Sequence, residues 1–104
     1  MDAASAALRA LADVNRRRIL TVVRDQPHPV GGIADQVGMS QQAVSHHLRV
    51  LRESGLVTEQ RDGTRHLYAL RTDGLEAVRE YLDDFWPARL MALKAAAEAE
   101  VSGD

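Results

Sequence analysis

The sequence predicts a mainly helical domain carrying one two-stranded β-hairpin. Three observations predict it. Apolar residues recur at helical spacing over most of the 104 residues. The stretch "VGGIADQVGMSQQAVSHHLRVLR" sets a glycine-containing turn between two helical patterns. Finally, "LVTEQRDGTRHLYAL" holds two strand-like runs on either side of Asp62-Gly63, a dipeptide suited to the positive φ angles of a tight hairpin.

Ala4, Leu8 and Leu11 recur at i, i+4 and i+7 and predict a first short helix. A second lies in "DVNRRRILTVVRDQPHP", where Asp13 or Asn15 can cap the start, Ile19, Leu20 and Val23 form the inward stripe, and Pro27 and Pro29 stop it. The third places Ile33, Ala34 and Val37 on one side and Gly38 where a helix ends in a left-handed residue. Gly31 and Gly32 weaken its first turn, each by roughly 1 kcal/mol relative to alanine. Ser40 can cap a fourth helix by accepting a backbone N–H bond, and the tight link from Gly38 to Ser40 completes a helix-turn-helix pattern.

At about 100° per residue, Ala43, Val44, His47, Leu48, Val50 and Leu51 fall on one side of the fourth helix. Gln41, Gln42, Ser45, His46, Arg49 and Arg52 fall on the other, and Gly55 ends the helix. Arg61 and Arg65 flank the hairpin tip. Thr72 is a candidate cap for a last helix that carries Leu75, Val78, Leu82, Phe85, Trp86, Leu90 and Leu93. Unbroken to Glu100, that helix would run roughly 40 Å, more than a small domain's own width, so part of its apolar stripe is expected to pack on a second subunit. Pro87 removes one backbone donor and would bend the helix or start a new one.

The length fits a single domain over residues 1–104. With 45% hydrophobic and 27% charged residues the composition is that of an ordinary globular chain, and four aromatic residues leave the core to aliphatic packing. There is no cysteine, which removes disulfides and thiolate metal sites. No basic segment leads into an apolar run and no 18-residue apolar stretch occurs, so no membrane association and a cytoplasmic location are expected. The overall balance of 13 basic to 15 acidic side chains hides an asymmetry. Residues 1–72 hold 10 basic and 7 acidic side chains, and residues 73–104 hold 3 and 8. The positive part can face a polyanion while the acidic part faces away.

The stretch from Ser40 to Arg52 contains no acid at all. Its outward face presents hydroxyls, amides and two arginines, which suits a DNA major groove, where base edges lie between rows of phosphates. Gln41 and Gln42 occupy the first turn, where a recognition helix meets base edges, and glutamine can bond an adenine edge in bidentate fashion. Ser45 and His46, one turn on, can reach bases or phosphate. Arg49 and Arg52 are expected on phosphates, setting register. Arg61 and Arg65 can lie along the DNA backbone or enter the neighbouring minor groove.

Other chemistries find little support. His47 falls on the apolar side between Ala43 and Leu51 and reads as a hydrogen-bonded core histidine. His46 and His47 point in different directions on a helix and cannot readily share a metal. His28 and His66 are scattered. Glu76, Glu80, Asp83 and Asp84 could offer oxygens to a hard cation, but a solvated acidic face is the simpler reading. No activated nucleophile, recognisable Ser/His/Asp pairing or phosphate-cradling glycine loop is found in the sequence, so no enzyme, metal or cofactor is expected.

"ALADVNRRRIL", "IADQVGMSQQAVSHHLRVLRESGLV" and "RDGTRHLYAL" resemble the ArsR/SmtB family of bacterial winged-helix repressors, with the likeness running from about Leu8 to Leu70 and a family-like last helix. The resemblance implies a winged helix-turn-helix fold with a recognition helix over 41–54 and a β-wing over 57–70. It implies a homodimer joined through the first and last helices, here by Leu8, Leu11, Leu82, Phe85, Trp86, Leu90 and Leu93. It further implies binding to a palindromic promoter operator, through Gln41, Gln42, Ser45, His46 and Arg49 on the helix and Arg65 on the wing; Ser40, Arg52 and Arg61 join them as DNA-binding candidates from the residue pattern alone.

Metal-sensing members of the family place cysteines where this chain reads "VGGIADQVG", or histidines and carboxylates on the last helix, where no histidine occurs after His66. The chain resembles the branch without known metal sites, which includes autorepressors. The competing readings are a ligand- or metal-responsive sensor of the same family and, in another class, a winged-helix protein-interaction module.

Overall fold

The structure is a computed structural model that describes the backbone of residues 1–86 and 88–102 and the side chains of residues 1–86 and 91–100. The elements follow as α1 (Ala3–Leu11), α2 (Val14–Val23), α3 (Val30–Val37), α4 (Gln41–Glu53), β1 (Val57–Asp62), β2 (Arg65–Leu70), α5 (Asp73–Asp83) and α6 (Ala88–Ser102). The strands pair antiparallel, from Val57 opposite Leu70 to Asp62 opposite Arg65.

Asp13, the first of the two candidate caps, caps α2 by accepting from the N–H groups of Asn15 at 2.8 Å and Arg16 at 3.1 Å. These bonds, the one from Arg16 foremost, hold its carboxyl below the ordinary aspartate value of 3.8. A lowered folded value means that the cap's contribution is complete above the ordinary range and is lost as pH falls through the folded value. Asp13→Asn, which can still cap, is therefore expected to flatten the acid limb of the melting-temperature profile while changing the neutral-pH value by no more than a few degrees. An unchanged acid limb would contradict this.

The run Arg16, Arg17 and Arg18 works inside the molecule. Arg16 donates to the Ala10 carbonyl at 2.7 Å, Arg17 to that of Leu11 at 2.7 Å and Arg18 to that of Val37 at 2.8 Å. Each places a cation at a helix C-terminus, where orphan carbonyls and the helix dipole favour it. Part of the positive excess before residue 73 thus holds helix ends.

The turn between α3 and α4 forms as the sequence predicts. Gly38 is left-handed at φ 70°, and Ser40 Oγ accepts from the Ala43 N–H at 3.1 Å. Gly55 at φ 76° closes α4. Ile19 and Val23 of α2, Ile33, Ala34 and Val37 of α3, and Val44, Leu48 and Leu51 of α4 are buried in one core with Leu56, Val57 and Val78. Helix α1 adds Ala7 and Ala10 to this core. Its Leu8 is exposed and Leu11 only partly buried, so small residues face inward and a leucine faces out.

Three expectations are corrected. The hairpin turn is Gly63-Thr64, since Asp62 pairs with Arg65 inside the ladder; Gly63 is left-handed at φ 65°. Thr72 precedes α5, but its side chain makes no cap bond; the Gly74 N–H instead donates to the Gly55 carbonyl at 2.9 Å. The last helix is also two helices, interrupted after Asp83 and resumed at Ala88. Pro87, the expected cause, lies outside the described residues.

Of the stripe assigned to a second subunit, Leu82, Phe85 and Trp86 are exposed on and just beyond α5, with Phe85 64% exposed and edge-on to Tyr81 at 5.1 Å. Every described side chain of α6 from Met91 to Glu100 is exposed, Leu93 included. The side chain of Leu90 lies outside the described residues. No helix among the described residues is long and apolar enough to cross a membrane.

Candidate nucleic-acid interface

Helix α4 divides as its periodicity predicts: Val44, Leu48 and Leu51 are buried, Ala43, His47 and Val50 half-buried, and Gln41, Gln42, Ser45, His46, Arg49 and Arg52 exposed. Its 13 residues make a rod of about 20 Å with a diameter close to the width of a B-DNA major groove. Ile33, Ala34 and Val37 of α3 share the core with its buried side and so support the helix from behind.

Gln42, Ser45, His46, Arg49 and Arg52 line one open groove of about 490 Å³, closed on its far side by Tyr68 of the wing. His46 Nδ1 lies 3.2 Å from the Arg49 guanidinium, pairing two exposed polar groups one turn apart. Ser40 is spent as the helix cap, although exposed. Gln41 leans back over α3, so that a methyl group at Gly31 would meet its Nε2 at 3.4 Å, an ordinary contact. Arg61 and Arg65 are exposed at the distal end of the wing. They occupy opposite faces of the ribbon, because Arg61 pairs with His66 and Arg65 with Asp62.

The structure adds residues that the helix pattern did not indicate. Glu59 of β1 accepts from Arg52 at 2.8 Å and from His66 Nδ1, and so bridges the recognition helix to the wing. The hydrogen bond from His66 chiefly holds the Glu59 carboxyl below the usual range; the charges of His66, Arg52 and Arg61 add to it and desolvation opposes it. His28 extends the wing, exchanging backbone bonds with Tyr68 at 2.9 and 2.8 Å and tying β2 to the α2–α3 loop. The side-chain contact follows from hairpin register: Glu59 and Arg61 share a face with His66 and Tyr68.

The expectation of a hydrogen-bonded core histidine is corrected at His47, which is half-buried on α4 and whose buried Nδ1 has no hydrogen-bond partner among the described residues. Among the described residues no three His, Asp or Glu side chains form a group able to hold a metal ion.

A family model described as a bacterial regulatory protein of the arsR family matches residues 13–59, from the α2 cap through the first half of β1. The HTH-type transcriptional regulator Rv2034 of Mycobacterium tuberculosis is 43% identical over 84 residues, 81% of this chain and 78% of that protein. The chain belongs to the ArsR family.

Another relative of this ArsR-family chain is the HTH-type transcriptional regulator NmtR of Mycobacterium tuberculosis, 51% identical over 63 residues, or 61% of the chain and 52% of the relative, so the chain matches about half of that protein. Among solved structures, a possible transcriptional regulator for arsenical resistance is 37% identical with a TM-score of 0.69 over 86% of this chain and 94% of the other. The homodimeric winged helix-turn-helix DNA-binding domain of Mb0332 from Mycobacterium bovis, a possible ArsR-family regulator, is 26% identical with a TM-score of 0.65 over 94% and 81%. The fold is a winged helix-turn-helix, and this ArsR-family chain is a DNA-binding transcriptional regulator, not an enzyme. In that fold α3 and α4 form the helix-turn-helix and the β1–β2 hairpin is the wing.

Proposed function

We propose that the protein is a cytoplasmic repressor that acts as a homodimer on a palindromic operator in its own promoter and needs no metal. The observation that carries this reading is the acid-free exposed face of α4, opening into a groove beside the wing. Gln41, Gln42, Ser45 and His46 meet base edges or nearby phosphate, Arg49 sets register on phosphate, and Arg61 and Arg65 meet the flanking backbone or minor groove. Ser40 holds the start of the helix at the DNA surface. Arg52 lines the same groove while held by Glu59. Residues 1–104 serve as one DNA-binding domain whose first and last helices join two copies.

Repression is supported by the relatives named transcriptional repressors, such as SdpR of Bacillus subtilis, 31% identical over 65% of this chain. Dimerisation is supported by the homodimeric Mycobacterium bovis neighbour and by the uncovered apolar residues of α1, α5 and α6. The twofold axis of a dimer would present two α4 helices to two half-sites, which accounts for a palindrome.

The two kinds of contact separate by mutation. Arg65→Ala is expected to weaken operator and random DNA alike and to reduce the salt slope by about one. Gln42→Ala is expected to cost about 1–3 kcal/mol on the operator and little on random DNA. Equal losses on both DNAs for Gln42→Ala would contradict its role as a base reader.

A further inference from the structure

At the C-terminal end of α4, Glu59 accepts from two side chains on two elements. Arg52 of the helix donates to Oε2 at 2.8 Å, and His66 of β2 donates from Nδ1 to Oε1. Both carboxylate oxygens are occupied, and the carboxylate, itself on β1, joins the recognition helix to both strands of the wing. Tyr68, opposite Glu59 in the ladder, closes the groove beside it. The arginine that periodicity assigns to phosphate is therefore engaged inside the molecule.

We propose that Glu59 is a specificity-determining residue, which withholds Arg52 and His66 from DNA phosphates and fixes the angle between the wing and α4. This rests on the reading that α4 and the wing face DNA. A carboxylate and a phosphate offer a guanidinium the same kind of acceptor, so a phosphate that recruits Arg52 must displace Glu59. On random DNA the protein takes whichever pose gives the most phosphate contacts. On an operator, base-edge bonds from α4 fix the pose. An arginine released from Glu59 therefore adds more to random binding than to operator binding, and the bridge suppresses the sequence-blind share of affinity.

The test uses the full chain and a mixed-sequence duplex over a salt series. Glu59→Gln keeps the size and loses the charge; its affinity for the duplex is expected to rise roughly 3–10-fold, with the salt slope steeper by about one. Asp62→Asn removes the same charge from the wing end and should gain less. In an Arg52→Ala background, Glu59→Gln should lose most of its effect. Arg52→Ala alone should leave the slope at the wild-type value.

Equal gains for Glu59→Gln and Asp62→Asn, or a gain that persists in the Arg52→Ala background, would reduce the effect to general charge removal and overturn the proposal. A slope lowered by Arg52→Ala alone would overturn it too, because Arg52 would then already touch phosphate. Wild-type protein that binds the duplex beside a Glu59→Gln variant that binds no better removes this proposal alone. Wild-type protein that binds no duplex at low salt removes the DNA-facing reading and the proposal with it.

Discussion

Phe85→Glu is expected to give a folded monomer whose operator affinity is at least about 100-fold weaker than that of wild type. Phe85 is 64% exposed, near exposed Leu82 and Trp86 in sequence and edge-on to Tyr81. Among the described residues its ring lies outside the buried core, so a charge there should cost little folding stability. In a dimer the same position would be desolvated, and an unpaired carboxylate at an apolar interface is strongly disfavoured. Loss of the dimer removes the second half-site contact, which otherwise binds as an intramolecular event at high effective concentration. Sedimentation and operator titration check both parts. A variant that stays dimeric would defeat the assignment of this patch to a second copy, and a monomer with undiminished operator affinity would defeat the need for two copies on the operator.

Gly74→Ala carries the largest expected loss of folding stability. A Cβ there would lie 2.5 Å from the Ser54 carbonyl oxygen, 3.0 Å from Leu56 Cδ2 and 3.2 Å from the Gly55 carbonyl oxygen. The closest of these atoms is backbone and cannot rotate away, so the first turn of α5 must lift from the corner between α4 and β1. Overpacking of this kind costs about 1–3 kcal/mol, a large share of a small domain's stability and several degrees of melting temperature. Gly32→Ala is the matched control. Its Cβ would meet only Pro29 side-chain atoms at 3.6 Å, and alanine is the better helix former, so its melting temperature should hold or rise. If Gly74→Ala melts like wild type, α5 is not docked as closely as the structure has it.

Much of the interface was legible because helix periodicity is local. Once Ser40 and Gly55 bound the helix, each side chain of α4 follows from its number, and the buried and exposed sets fall as predicted. The wing was legible as a hairpin but not in register. The turn at Gly63-Thr64 decides which residues face one another, and only that register brings Glu59 beside His66 and toward Arg52.

Composition also misdirected in two places. Arg16, Arg17 and Arg18 look like part of a DNA-facing charge but bond the carbonyls of Ala10, Leu11 and Val37. The i, i+4, i+7 pattern of α1 named Ala4, Leu8 and Leu11 but not the buried pair, Ala7 and Ala10, because close approach of helices favours small side chains. The bond between His28 and Tyr68 was hidden for another reason: an extended residue between two prolines gives no sign of the strand it will meet.

Whether this chain reads a specific operator without a metal is decided by titrating wild-type protein into DNA from its own upstream region. Random duplex serves as the reference, at two salt concentrations, with and without chelator. Tight, salt-sensitive binding to the upstream DNA is expected, with a clear preference over random duplex and no response to chelator. Equal binding to both DNAs would contradict the autorepressor, and loss of binding on chelation would contradict its independence of metal.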